Sequence, residues 1–153
     1  MVAKPENDMT DYERRVAGSL SVETRADGEG KKLVGHAALF DSLSGDLGGF
    51  REQIRAGAFS QSIQSNADIR ALWNHDAGQV LGRTAAGTLS VSEDDQGLRV
   101  EIDPPDTQAG RDARTSIERG DVSQMSFAFR VRPGGQQFDE NESNEVVRTL
   151  TDV

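Results

Sequence analysis

Apolar and polar residues alternate along most of this chain, which is the pattern of strands that bury one face. The clearest case is the run in which Leu98, Val100 and Ile102 alternate with charged residues. It follows a second alternating run at 88–93 after a short polar turn, so the two runs predict an antiparallel hairpin. The same pattern predicts further strands at 17–23, 32–40, 50–55, 68–74, 125–129 and 145–153, the first two joined as a hairpin. The segment at 80–84 leads out of a turn at 76–78.

Two stretches have helical spacing instead. One covers 56–63, and the other runs from a cap at Asp106 or Thr107 to a stop at Gly120. The apolar stripe of the second helix is formed by Ala109, Ala113 and Ile117. Many short strands with two helices predict an α+β fold, with a mainly antiparallel, barrel-like sheet and two or more flanking helices.

The polar stretches of the chain predict its loops and its domain boundary. Residues 41–49 and 136–144 are rich in turn-forming or acidic residues and are expected to be exposed loops. Residues 1–16 are polar and predict a flexible leader, which leaves 17–153 as the domain. A chain of 153 residues fits a single domain.

Composition excludes several classes of protein. The net charge of -9 and the lack of a basic stripe argue against a nucleic-acid partner. Cysteine is absent, which removes disulfides, a cysteine nucleophile and thiolate metal sites. Two well-separated histidines and scattered acids predict no metal site. No apolar run approaches the length of a membrane span and no signal peptide precedes the domain, so a protein that is neither membrane-bound nor secreted is expected.

One strand carries a side chain that suggests catalysis. Ser126 lies between Met125 and Phe127, so its hydroxyl is expected on the face opposite the large apolar residues. A serine becomes a nucleophile when a neutral histidine accepts its proton, and His75 follows a strand-like run. No G-x-S-x-G surrounds Ser126. From the residues alone, two plainer interpretations therefore remain: a hydroxyl bonded to backbone, and a histidine on a surface turn. The other histidine, His36, lies inside a strand and is predicted to be structural.

Seven short motifs follow one another in a fixed order along the chain. They are GHAALF at 35–40, GGFRE at 48–52, GAF at 57–59, WNHD at 73–76, LGRT at 81–84, PDT at 105–107 and MSFAF at 125–129. Together they resemble the tailed-phage prohead proteases, head-maturation serine peptidases related to herpesvirus assemblins. The resemblance implies a herpesvirus-protease-like fold and a serine endopeptidase that needs no cofactor. By position, Ser126 matches the family serine, the nucleophile, and His75 the family histidine, the general base.

The resemblance also implies the biological setting. Its substrates would be the scaffold protein or the scaffolding segment of the major capsid protein, cut inside the assembling prohead in the host cytoplasm. A catalytically inactive assembly factor of the same fold, which binds scaffold without cleaving it, is the first alternative. A small-molecule-binding β-barrel is an alternative from outside the family.

The third member of the catalytic group is open. Family members continue beyond a segment like 148–153 with a further strand that carries an acid, so the domain is expected to lack its last strand or strands. The group that orients His75 is then Asp152, Glu145, or a residue absent from the chain. A strand missing from an antiparallel sheet would leave an unpaired edge at 145–153, which predicts a homodimer.

Overall fold

The computed structural model describes residues 12–17, 20–24 and 30–153. Within these ranges the chain forms eleven strands and two α-helices. The strands are β1 (Glu13–Ala17), β2 (Leu20–Thr24), β3 (Lys31–Leu39), β4 (Arg51–Ile54), β5 (Arg70–Leu72), β6 (Val80–Arg83), β7 (Leu89–Glu93), β8 (Gly97–Ile102), β9 (Met125–Phe129), β10 (Gln136–Glu140) and β11 (Val146–Leu150). The helices are α1 (Ser60–Gln64) and α2 (Gln108–Glu118).

The largest sheet among the described residues has the strand order β2-β3-β8-β7 and is antiparallel throughout. It contains both predicted hairpins, β2–β3 and β7–β8, although most of the turn of the first hairpin lies outside the described residues. Leu98, Val100 and Ile102 are 8%, 5% and 3% exposed, which confirms the predicted buried face. Their alternation with charged residues is what a sheet with one face on the core requires.

A second sheet has the order β10-β11-β4, and β11 runs antiparallel to β10 but parallel to β4. The strand predicted at 145–153 is confirmed over 146–150 as β11, which is paired on both sides. The unpaired edge expected there is therefore not observed. The predicted loop at 136–144 is wrong in its first half, because 136–140 form β10. All five side chains of β10 are exposed, so the strand leaves no apolar alternation in the sequence.

Two ribbons of two strands complete the described fold. β5 pairs with β6, and β1 pairs with β9, both antiparallel. The predicted leader at 1–16 must be shortened, because 13–16 belong to β1. Residues 1–11 lie outside the described part of the chain. The sequence does not predict β1, because three of its five residues are charged, which is not typical of a strand.

The fold is α+β and mainly antiparallel, as predicted. Over residues 12–17, 20–24 and 30–153 the strands form four separate sheets that do not close into a barrel. The barrel-like arrangement is therefore not confirmed, and the interpretation as a small-molecule-binding barrel loses its structural premise. In the same ranges, neither helix combines the length and the apolar composition needed to cross a membrane.

Helix α2 shows how the local sequence fixes an element. The Thr107 side chain accepts a hydrogen bond from the Gly110 amide at 3.2 Å, which confirms the predicted cap. Gly110 is a glycine for a steric reason: a Cβ at this position would lie 2.0 Å from the Pro105 carbonyl oxygen. Ala113 and Ile117 are buried, so the predicted apolar stripe packs on the core. Helix α1, by contrast, begins four residues later than the predicted start at 56.

Candidate active site

The strand that carries Ser126 has two distinct faces. In the β1–β9 ribbon, Val16 is opposite Ser126 and Arg15 is opposite Phe127. On the inner face, the rings of Phe127 and Phe129 stack with centroids 5.0 Å apart, and Phe129 is buried. Phe127 and Met125 are half-buried against the core, as the predicted apolar face requires. Ser126 therefore lies on the outer face of the ribbon.

His75 is carried by a tight loop rather than by regular structure. The chain leaves β5 and enters a 3-10 turn over Trp73–His75. Asn74 and His75 both adopt the left-handed backbone region, with φ of 50° and 57°. For a residue other than glycine, this backbone conformation has a free-energy cost of order 1–3 kcal/mol. It therefore persists only where surrounding contacts hold it in place. The backbone at His75 is therefore held by its loop.

Those contacts are hydrogen bonds within the loop. The Trp73 amide donates to the Gln79 carbonyl at 3.0 Å, and the Gln79 amide donates to the Asp76 carbonyl at 2.9 Å. The Asp76 carboxylate accepts from the Gly78 amide at 2.8 Å and from the Gln79 side-chain amide at 2.7 Å. The hydrogen bond from the Gly78 amide is the largest cause that lowers the pKa of Asp76, and the bond from the Gln79 side chain is the next. This carboxylate therefore stays ionised and keeps both bonds. The turn at 76–78 could be predicted from the sequence. The hydrogen bonds by which Asp76 and Gln79 stabilise the loop of His75 could not.

The structure brings the two predicted side chains together. Ser126 Oγ and His75 Nε2 form a hydrogen bond between the β1–β9 ribbon and the histidine loop. The two residues are 51 positions apart, so the contact is a product of the fold. A hydrogen bond between a serine oxygen and an imidazole nitrogen is the geometry in which a histidine can accept the hydroxyl proton.

Neither predicted third member is joined to His75 by a hydrogen bond among the described residues. The carboxylate of Asp152 lies 3.3 Å from Arg132 Nε. Glu145 lies 3.5 Å from Arg51 Nε and accepts a hydrogen bond from the Asn141 side chain at 3.0 Å. Both acids are therefore engaged with other side chains.

Behind the serine strand lies a group of four charged residues, here called the charged cluster: Glu13 and Arg15 of β1, Glu52 of β4 and Arg148 of β11. Arg15 donates to both oxygens of Glu52, at 2.7 and 2.9 Å. Arg148 donates to both oxygens of Glu13, at 2.6 and 2.7 Å, and to Glu52 at 3.1 Å. Glu52 and Arg148 are only 4% and 7% exposed. The hydrogen bond from Arg148 is the main cause that lowers the pKa of Glu13.

The charged cluster connects the β1–β9 ribbon to the β10-β11-β4 sheet. The Arg15 guanidinium also lies 5.4 Å from the ring centroid of Phe129, on the inner face of β9. The cluster and the aromatic rings therefore support the strand of Ser126 from the side opposite its hydroxyl. Nothing in the sequence indicated this cluster, because its members come from three separate segments.

An open cleft borders the histidine loop. It has a volume of about 340 Å³ and is lined by 78–80, 107–109 and Asp112. The first turn of α2 therefore faces the loop that carries His75.

The second histidine has a different environment. His36 Nε2 lies 2.7 Å from a carboxylate oxygen of Asp94. This contact, with amide hydrogen bonds from Gln96 and Gly97, lowers the pKa of Asp94 to about 2. The pair joins β3 to the β7–β8 turn, which agrees with the structural role predicted for His36.

Comparison with known proteins adds one match. A model of the caudovirus prohead serine protease family matches residues 19–153. The matched range includes all seven motifs and both members of the Ser126–His75 pair. No curated protein and no solved structure matches the chain.

Proposed function

The chain belongs to the caudovirus prohead serine protease family, and on that premise we propose that it cleaves peptide bonds with Ser126 as the nucleophile and His75 as the general base. The observation that carries this proposal is the hydrogen bond between Ser126 Oγ and His75 Nε2 within the matched range. The same two residues are the ones whose motifs match the family serine and histidine.

The chemistry follows from that contact. The Ser126 hydroxyl donates to the neutral imidazole, and Oγ attacks the carbonyl carbon of the scissile bond as its proton passes to Nε2. The protonated His75 then gives this proton to the nitrogen of the leaving amine, and the peptide C–N bond breaks. Water, activated by the same imidazole, hydrolyses the acyl ester on Ser126 and restores the hydroxyl. Every proton transfer in this sequence passes through the imidazole of His75.

A group must also hold the imidazole in position during these steps. In our proposal the braced loop of His75 does so, because its left-handed backbone and the Asp76 hydrogen bonds fix the direction in which the ring leaves the chain. Asp76 is then a positioning residue. This arrangement differs from one in which Asp152 or Glu145 bonds to the ring.

The substrates follow from the family. We propose that the protein cuts the scaffold protein or the scaffolding segment of the major capsid protein, inside the assembling prohead in the host cytoplasm. A fold related to the herpesvirus assemblins is part of the same proposal.

The test is covalent labelling of the serine. A fluorophosphonate reacts with a serine whose proton is withdrawn by a base, and intact-mass measurement detects the adduct. We expect labelling of the wild type and none of Ser126→Ala or His75→Ala. Cleavage of a capsid–scaffold fusion should fall by roughly 10⁶ in each variant, because a nucleophile and its base act as a unit and removing either one disables both. Ser123→Ala, an exposed serine just before the same strand, is the matched control and should behave as the wild type.

A second function is favoured by one observation. Asp152 and Glu145 both have other partners, so neither supplies His75 with a carboxylate among the described residues. A non-catalytic assembly factor would be folded and would bind scaffold, but would show neither labelling nor cleavage. That result would replace the protease proposal.

A further inference from the structure

Exposed side chains flank Ser126 on the outer face of the β1–β9 ribbon. Val16 is opposite Ser126, and Arg14 is opposite Ala128. Directly opposed residues of an antiparallel pair project on the same side, so these four side chains share one face. Val16 is 70% exposed, more than any other large apolar side chain in the described residues. Arg14 and Ala128 are also exposed. A substrate chain can therefore reach Ser126 along this face.

Two further residues continue this face away from the serine. Arg130 follows β9 at the alternate position after Ala128, and its guanidinium lies 4.2 Å from the ring centroid of Tyr12. Tyr12 precedes β1 and is 39% exposed. We call the face the outer platform: Tyr12, Arg14, Val16, Ser126, Ala128 and Arg130.

The charge of the outer platform is opposite to that of the protein. Its six residues include two arginines and no acid, whereas the whole chain has a net charge of -9. Basic side chains beside a nucleophile in an acidic protein favour a negatively charged substrate segment.

We propose that the outer platform binds the substrate segment that flanks the scissile bond and selects an acidic residue two to four positions from that bond. Strand rise sets the spacing: residues two apart are separated by about 7 Å and residues four apart by about 13 Å. An extended substrate has the same rise, so its alternate side chains meet Val16, Arg14 and Arg130 in turn. The residue nearest the scissile bond meets Val16 and is aliphatic. This inference rests on the proposed protease function and adds the class of substrate sequence.

The expected effect of each arginine is moderate. Ion pairs between exposed groups change an equilibrium by roughly two- to fivefold. Because both guanidiniums face the same segment, their combined removal should lower the preference by roughly four- to twenty-fivefold.

The experiment measures cleavage of peptides by the full chain. A randomised library of twelve-residue peptides is digested, and mass spectrometry locates each cut. The variants are Arg14→Gln, Arg130→Gln, their double variant and Arg14→Glu. Arg119→Gln is the matched control, because Arg119 is exposed, lies outside the outer platform and forms an ion pair with the exposed Asp121. Fluorophosphonate labelling of Ser126 is measured in parallel for every variant.

The wild type and Arg119→Gln should cut preferentially where an acidic residue lies two to four positions from the bond. The double variant should lose this preference while its labelling stays unchanged, and Arg14→Glu should favour a basic residue instead. If the wild type is labelled normally but shows no preference for an acidic residue, or does not cleave acid-containing peptides, the inference is overturned. The protease proposal would still stand in that case. Absence of labelling in the wild type would overturn both.

Discussion

Substituting Arg148 by methionine tests whether the charged cluster stabilises the fold. Methionine keeps most of the length of the side chain but removes the guanidinium. The change leaves both Glu13 and Glu52 with Arg15 as their remaining partner in the cluster. It also removes the 2.7 Å donor to the Gln136 side-chain oxygen. The perturbation therefore acts on one buried network and not on Ser126 itself.

The magnitude follows from burial. Removing one partner of a buried ion pair costs about 3–5 kcal/mol, because a charge is left without compensation. Glu52 is 4% exposed but keeps both hydrogen bonds from Arg15. Glu13 has a side chain that is 36% exposed and can turn toward water. The expected loss in the free energy of unfolding is thus at the lower end, about 3 kcal/mol. That is a large fraction of the roughly 5–15 kcal/mol that stabilises a typical domain.

Urea unfolding followed by the fluorescence of Trp73, the one tryptophan of the chain, measures this loss. Arg119→Met is the control, since its exposed ion pair should change stability by less than about 1 kcal/mol. Adding Glu13→Gln to Arg148→Met should cost less than the sum of the single changes, by about 1 kcal/mol or more, because the two residues share bonds. A loss below about 1 kcal/mol for Arg148→Met, or additive effects, would refute a stabilising network.

Three further predictions concern single positions. Gly110→Ala should destabilise the protein by about 1–3 kcal/mol in urea unfolding, since its Cβ would lie 2.0 Å from the Pro105 carbonyl oxygen. Above about pH 4, Asp94→Asn should have a lower free energy of unfolding than the wild type in urea, because the pKa of Asp94 is lowered to about 2 in the folded state. The difference should shrink as the pH falls from about 4 to about 2, since Asp94 is then protonated and its contribution is lost. Asp76→Ala should lower kcat by roughly 10- to 100-fold with little change in KM, and Asp76→Asn should restore part of it, because the loop that positions His75 loses its brace.

The elements that could be predicted are those in which burial leaves a pattern. β8 was found because three of its side chains face the core in alternation, and α2 because a cap, a stripe and a stop occur in order. β10 has no buried side chain, and β1 is largely charged, so neither has an apolar period to detect. Both strands form because they pair with a neighbouring strand, β9 for β1 and β11 for β10. Such pairing depends on the tertiary structure and cannot be read from the residues of one segment.

The candidate site divides in the same way. Ser126 and His75 could be proposed because each lies in a short motif, and the fold brings them into contact. Their supports could not, since the charged cluster joins positions 13, 15, 52 and 148. Asp152 and Glu145 are candidates for the third member by their position in the sequence alone. Asp152 instead lies near Arg132, a pairing that depends on the three-dimensional path of the chain.

The two faces of the β1–β9 ribbon explain how the chain exposes a nucleophile on a short strand. A shift of one residue in strand register would move every side chain of β1 to the other face. The stacked rings of Phe127 and Phe129 fix which side of β9 faces the core. The bonds from Arg15 to the buried Glu52 help to fix which side of β1 does so, because a shift that put Val16 in the place of Arg15 would leave Glu52 with one partner fewer. The charged cluster therefore does more than connect the ribbon to the second sheet. It fixes which side of β1 faces the core, and so places Val16 beside Ser126 on the outer face.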